Sequence, residues 1–172
     1  MSQHGGGNLN VLSQIEEKVL RTVLSDETCM KLVLNQPVVP LPALNARYTQ
    51  VMPWRGVPQT QTETKSFVTF EVGISKPVNS AAREYVLAIY VMCHQSLMPI
   101  DEKIGKALGV EDRGTRVDLI ADRIDYLING KTDMGFGKVE MQSSNPFEPI
   151  DGYVGRSILY TITGWNRYGD KL

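Results

Sequence analysis

The sequence predicts an α+β fold: a mainly antiparallel β-sheet flanked by helices, with a long proline-rich arm or loop. Three observations predict it. Apolar residues recur at helical spacing in two separated stretches, one from Asn10 to the Ser25-Asp26 break and one from Thr115 to Asn129. Four runs, 67–74, 83–93, 137–143 and 153–165, carry the alternation or β-branched enrichment of strands. Between the first helix pair and the first strand, five of the nine prolines fall within residues 35–66.

The N-terminal residues 1–8 contain Gly5-Gly6-Gly7 and read as a flexible tail. Leu12, Ile15, Val19 and Val23 then recur at spacings of three and four, while Glu16, Glu17, Lys18 and Arg21 fall mostly off that stripe. Asn10 or Ser13 caps this helix, and Ser13 with Glu16 has capping-box spacing. A second short helix over 26–34 offers Cys29, Leu32 and Val33 to a core.

Residues 35–66 hold Pro37, Pro40, Pro42, Pro53 and Pro58 and end in a polar run, 59–65. This stretch reads as an extended arm or long loop with a short strand around 48–51; a disordered linker is the alternative. Met52-Pro53-Trp54 weighs against the linker, because an exposed tryptophan is unfavourable unless something covers it.

Val68, Phe70, Val72 and Ile74 alternate on one face of a strand, and a loop over 75–80 returns the chain into the next. In that next strand both faces are apolar, Tyr85, Leu87, Ile89 and Val91 against Val86, Ala88, Tyr90 and Met92. The expectation is a central strand covered on each side. A short helix over 100–108 and a turn over 109–114 follow. Thr115 caps a helix whose stripe is Val117, Ile120, Ala121, Ile124, Leu127 and Ile128, and Asn129-Gly130 stops it. Two strands close the chain, joined by a wide loop marked by Pro146, Pro149 and Gly152.

The chain has 172 residues, and domains usually span roughly 100–200, so one domain over 1–172 is expected. Hydrophobic residues make up 42% and charged residues 22%, which is enough apolar material for an ordinary core and argues against disorder throughout. The formal net charge is −1, from 18 basic and 19 acidic residues. A protein whose main work is coating DNA needs a basic excess. No apolar run approaches the ~20 residues of a membrane helix, and the polar N-terminus has no signal-peptide core. With two cysteines, Cys29 and Cys93, a disulfide framework is not expected, and the expected compartment is a reducing cytoplasm.

Chemistry-bearing motifs are scarce. The histidines are His4, in the tail, and His94. Cys93 and His94 are adjacent in a strand, so they point to opposite faces and serve neither one metal nor one catalytic pair. Asp118, Asp122 and Asp125 share helical spacing, but a solvated face with Arg116 and Arg123 beside it accounts for them. Gly135-Phe136-Gly137-Lys138 lacks the spacing, the hydroxyl residue and the following helix of a phosphate loop. The expectation is a structural protein, not an enzyme, with no metal and no cofactor.

The C-terminal half carries a resemblance. It runs Thr115-Arg116-Val117-Asp118-Leu119-Ile120-Ala121, then Leu127-Ile128-Asn129-Gly130, then Gly135-Phe136-Gly137-Lys138-Val139. Pro146-Phe147 and Pro149-Ile150, then Gly152-Tyr153, Gly155-Arg156 and Ile158-Leu159-Tyr160, complete it. With the strands before it, this stretch, roughly 67–165, resembles the tail terminator (tail completion) proteins of long-tailed bacteriophages. The resemblance implies an α+β subunit closed with its own copies into a ring, sixfold symmetric, at the head-proximal end of the tail. Such a ring stops growth of the tail tube and joins the tail to the head connector. Its partners are itself, the tail tube protein and a connector or head-completion protein, and DNA passes through without specific binding. It is assembled in the host cytoplasm and resides in the virion. Another neck or head-completion protein, or a non-viral accessory binding module, is the alternative. The candidate subunit or partner interface is Met52, Trp54, Arg55 and Val57 in the proline-rich segment, with Phe147 and Arg156.

Overall fold

Strand alternation dictates the centre of the molecule, a long antiparallel hairpin. The structure, a computed structural model, describes residues 10–56, 64–77 and 82–165. Strand β1 is Val51–Met52, β2 is Ser66–Pro77 and β3 is Ala82–His94. Strands β4 (Pro99–Ile100) and β5 (Gly114–Thr115) form a small separate pair. Strands β6 (Lys138–Phe147) and β7 (Tyr153–Trp165) complete a five-stranded sheet in the order β1-β2-β3-β7-β6. All its pairings are antiparallel except β1 with β2. The fold is α+β, mainly antiparallel.

Among the described residues four α-helices accompany the sheet: α1 (Asn10–Leu24), α2 (Glu27–Leu34), α3 (Glu102–Leu108) and α4 (Arg116–Ile128). Their ends are set by local chemistry. Asp26 accepts the Cys29 amide at 2.8 Å to start α2, and Asn35 in the left-handed region ends it. Asp101 caps α3 and Thr115 caps α4. The Gly130 amide donates to the Val139 carbonyl at 2.7 Å, tying the end of α4 to β6.

Helices α1, α2 and α4 lie on one face of the sheet and close the main core. Ile15, Val19, Leu20 and Val23 from α1, Cys29, Met30, Leu32 and Val33 from α2, and Ile120, Ile124 and Ile128 from α4 meet Phe70, Leu87, Ile89, Tyr160 and Ile162. Among the described residues no helix lies on the opposite face. A smaller cluster of Met52, Phe67, Met92 and Tyr153 covers its His94 end, with Tyr90, Phe147 and Ile150 packed around it.

Three expectations are corrected or narrowed. The second face of β3 is not covered along its length: Val86, Ala88 and Tyr90 are half-buried, and only Met92 is buried. The helices supply apolar stripes to one side only. Second, of the two readings of the proline-rich stretch, arm or long loop, residues 35–56 take the loop. Val39, Ala43, Ala46, Val51 and Met52 are buried, a 3₁₀ turn spans Leu44–Ala46, and the Ala43 amide bonds the Leu24 carbonyl at 2.8 Å. The segment is a long loop laid against the sheet edge and tied to the domain by hydrogen bonds such as this one. Third, β6 runs on through Pro146 to Phe147 where a loop was expected. Strand β6 is the sheet edge, where alternate amides face away from the ladder and a proline is tolerated. The expected tail 1–8 and the polar run 59–63 lie outside the described residues.

Candidate assembly surface

The loop 35–56 is held from below and apolar above. Gln50 Nε2 donates to the carbonyls of Val33 and Ser66, both at 3.0 Å, and the Val68 amide donates to the Gln50 carbonyl. Arg47 donates to Glu17 Oε2 on α1 at 2.8 Å and to the Tyr48 hydroxyl at 2.7 Å. Arg21 also binds Glu17, so one carboxylate bridges two guanidinium groups. The bond from Arg47 to Tyr48 is the main reason its guanidinium is held even more firmly protonated than usual.

Out of this frame point Val38, Leu41, Leu44, Tyr48 and Trp54, with Val38 80% and Leu44 62% exposed. Tyr48 and Trp54 stack, ring centroids 5.7 Å apart and planes 21° from parallel. Large apolar side chains on an anchored backbone lose little conformational freedom on docking, which is what an interface anchor requires.

The candidate residues do not converge on one point. Met52 is 3% exposed and belongs to the smaller core, so it supports the surface without being part of it. Trp54 is on the surface. Arg55 is exposed and lies over the Tyr90 ring, 5.0 Å from its centroid. Phe147 meets the same ring edge-on at 5.8 Å. Tyr90 in turn donates to Glu71 at 3.1 Å, and partial burial, then that bond, push its hydroxyl above the usual range. Arg156 is on the other side of the sheet, where its Nε donates to Asp118 at 2.6 Å. Val57 lies outside the described residues.

Sequence reasoning passed over Tyr48, Leu44 and Tyr90. Prolines erase periodicity in the loop, so no stripe marked Leu44 or Tyr48 as outward. Tyr90 was assigned to a covered face.

The arginines differ from a solvated stripe. Arg116 is buried, donating to the carbonyls of Leu97 (2.7 Å) and Leu32 (2.6 Å) and to Asn35 Oδ1 (2.9 Å). Burial lowers its pKa, and the carbonyl end of α2 partly offsets the lost hydration. Arg123 makes a two-pronged contact with Asp26, closest at 2.7 Å. Asp125 accepts from the Tyr160 hydroxyl at 3.1 Å. The adjacent Cys93 and His94 fall on opposite faces: Cys93 is in the main core, and His94 packs edge-on to Tyr153. Among the described residues no helix is long and apolar enough to cross a membrane.

The chain belongs to the YomW family, whose model matches residues 22–162. Its fold is similar to that of a chain in the solved virion of a native gene transfer agent particle. The TM-score is 0.53 at 10% sequence identity, covering 88% of this chain and 94% of that one. No curated protein matches.

Proposed function

We propose that this member of the YomW family is a structural subunit of a phage-type particle, and more finely a ring-forming tail terminator. The observation that carries the reading is the fold, shared over 88% of this chain with a chain of a virion particle. The anchored apolar surface on 35–56 supports it, because a subunit that works through contacts needs such a surface and needs no catalytic site. In this role the chain closes into a ring of its own copies at the head-proximal end of the tail and ends growth of the tail tube. It meets the tail tube protein on one side and the head connector on the other, and it resides in the virion.

DNA passes such a ring without being gripped. Neutralised phosphates add salt-dependent affinity and would slow the passage. The arginines of a candidate basic stripe are engaged: Arg113 with Glu102, Arg116 in the core, Arg123 with Asp26 and Arg156 with Asp118. Negligible affinity for duplex DNA near physiological salt is expected in a fluorescence-anisotropy titration.

The test of the reading is assembly. Light scattering and electron microscopy of the purified chain should show a ring of defined size, six copies for a terminator. Added to growing tail tubes, the ring should sit at tube ends and halt elongation. A ring that ignores tubes but binds head connectors would instead favour a head-completion protein. A chain that stays monomeric with either partner present would end the proposal.

A further inference from the structure

Two surfaces at opposite ends of the strand order complement each other. The first is the β1 edge, where Leu44, Tyr48 and Trp54 are exposed. Arg21, Arg47 and Arg55 surround it, with Glu17 and Glu71 as the neighbouring carboxylates. The second is a groove of about 340 Å³ between α4 and β6, at the other edge of the sheet. Its apolar floor includes Ala121, Met141 and Ile158, and Met141 is 44% exposed. Asp118, Asp122 and Asp125 line it against the single cation Arg156, which is already paired with Asp118. Asp122 is exposed and has no ion-pair or hydrogen-bond partner among the described residues. One surface is apolar with an excess of positive charge; the other is apolar with an excess of negative charge.

Direct pairing of the sheet edges is a poorer joint. Strand β6 carries a bulge between Met141 and Ser143, the charged pair Lys138–Glu140, and Pro146. At the other edge β1 is two residues long, and the β2–β3 pairing next to it is irregular between Ile74 and Lys76. These are the devices by which exposed edges refuse another strand. Side chains are left to make the contact.

We infer that the α4–β6 groove of one copy receives the Tyr48–Trp54 edge of a second copy. The inference rests on the ring reading and deepens it by naming both halves of the joint. An aromatic pair flanked by arginines that loses its water on seating in an apolar-floored groove is the chemistry of interface hot spots, and complementary charge fixes which surfaces meet. Because the two surfaces differ and lie at opposite edges, the contact is head-to-tail. Such a contact closes into a ring when its rotation allows.

The experiment uses one variant for each surface. Leu44→Glu, with Trp54→Ala as a milder second choice, spoils the aromatic edge at exposed positions. Asp122→Arg, alone or with Met141→Arg, spoils the groove. Circular dichroism and thermal melting confirm that each is folded, and light scattering gives the mass. Each variant alone should be monomeric where the parent is a ring. Mixed in equal amounts, an edge variant and a groove variant retain one intact edge and one intact groove between them. They should form dimers of twice the monomer mass and grow no further. Variants that assemble like the parent, or a mixture that stays monomeric, would overturn the inference and leave the ring reading standing. A parent chain that forms no ring at any concentration would remove both.

Discussion

The two faces of the sheet are built from the same strands and have different fates. On one, Tyr85, Leu87, Ile89 and Val91 are at most 1% exposed beneath three helices. On the other, Val86, Ala88 and Tyr90 from β3 lie beside Leu159, Thr161 and Thr163 of β7, and none of the six is buried. The residues of β3 alone do not distinguish the faces, because both are apolar. What distinguishes them is the supply of apolar stripes from elsewhere in the chain. Helices α1, α2 and α4 supply the first face, and among the described residues Met52 and those near Tyr153 supply an end of the second.

The largest expected effect tests this difference directly. Ile89→Ala should destabilise the fold by about 2–5 kcal/mol, the usual range for emptying a packed core site. Val86→Ala, three residues away on the other face, should lose under about 1 kcal/mol, since its side chain already meets water. Urea denaturation of the two variants measures both. Comparable losses would mean that the second face is covered as fully as the first.

An intermediate effect is expected at Arg116, a charged side chain buried inside the covered half. Arg116→Ala removes the donors to Leu97, Leu32 and Asn35 and should destabilise by about 2–3 kcal/mol. Arg116→Met retains much of the stem but leaves the same oxygens unpaired, so its loss should be similar. If Arg116→Met were as stable as the parent, packing and not hydrogen bonding would be the reason for its burial.

Arg116 also marks where the sequence was legible and where it was not. The helix it opens could be read from Thr115, the stripe Val117-Ile120-Ile124 and the Asn129-Gly130 stop, because capping and period are local properties. Its own burial could not. An arginine between Arg113 and Arg123 looks solvated until α2 places bare carbonyl groups against it. The hairpin was legible for the same local reason as α4. The loop 35–56 was not: its buried residues, Val39, Ala43 and Ala46, follow no period and are placed by long-range contacts such as the one to Leu24. The consequence is practical. Excising 37–64 would strip buried residues and β1 from the domain, so point variants of outward side chains are the informative probes. Of the candidate interface residues, Trp54 is exposed on the loop, because an aromatic amid prolines has no element of its own to hide in. Arg156 lies on the helix side of the sheet beside Asp118, a placement that alternation along β7 assigns only once the helix side is known.

The smallest expected effect lies where the covered side meets solvent, at Asp118 on the first turn of α4. Burial disfavours its charge, but the hydrogen bonds from Thr115 and Arg156 and the positive charge of Arg156 outweigh that and hold its carboxyl below the usual range. The helix N-terminus acts in the same direction. A carboxylate whose folded pKa is depressed contributes stability that is fully present above its unfolded pKa of about 3.9. That contribution is lost as pH falls through the lower folded value. The parent should therefore exceed Asp118→Asn in stability at neutral pH, and the gap should narrow below about pH 4. Both carboxylate and guanidinium are well exposed, 50% and 29%, so the gap is small and should shrink further in high salt. Urea titrations of both proteins from neutral pH down to the acid range, at low and high salt, measure it. A gap that is unchanged by acid would mean that the charge of Asp118, and so its pair with Arg156, contributes nothing to the fold.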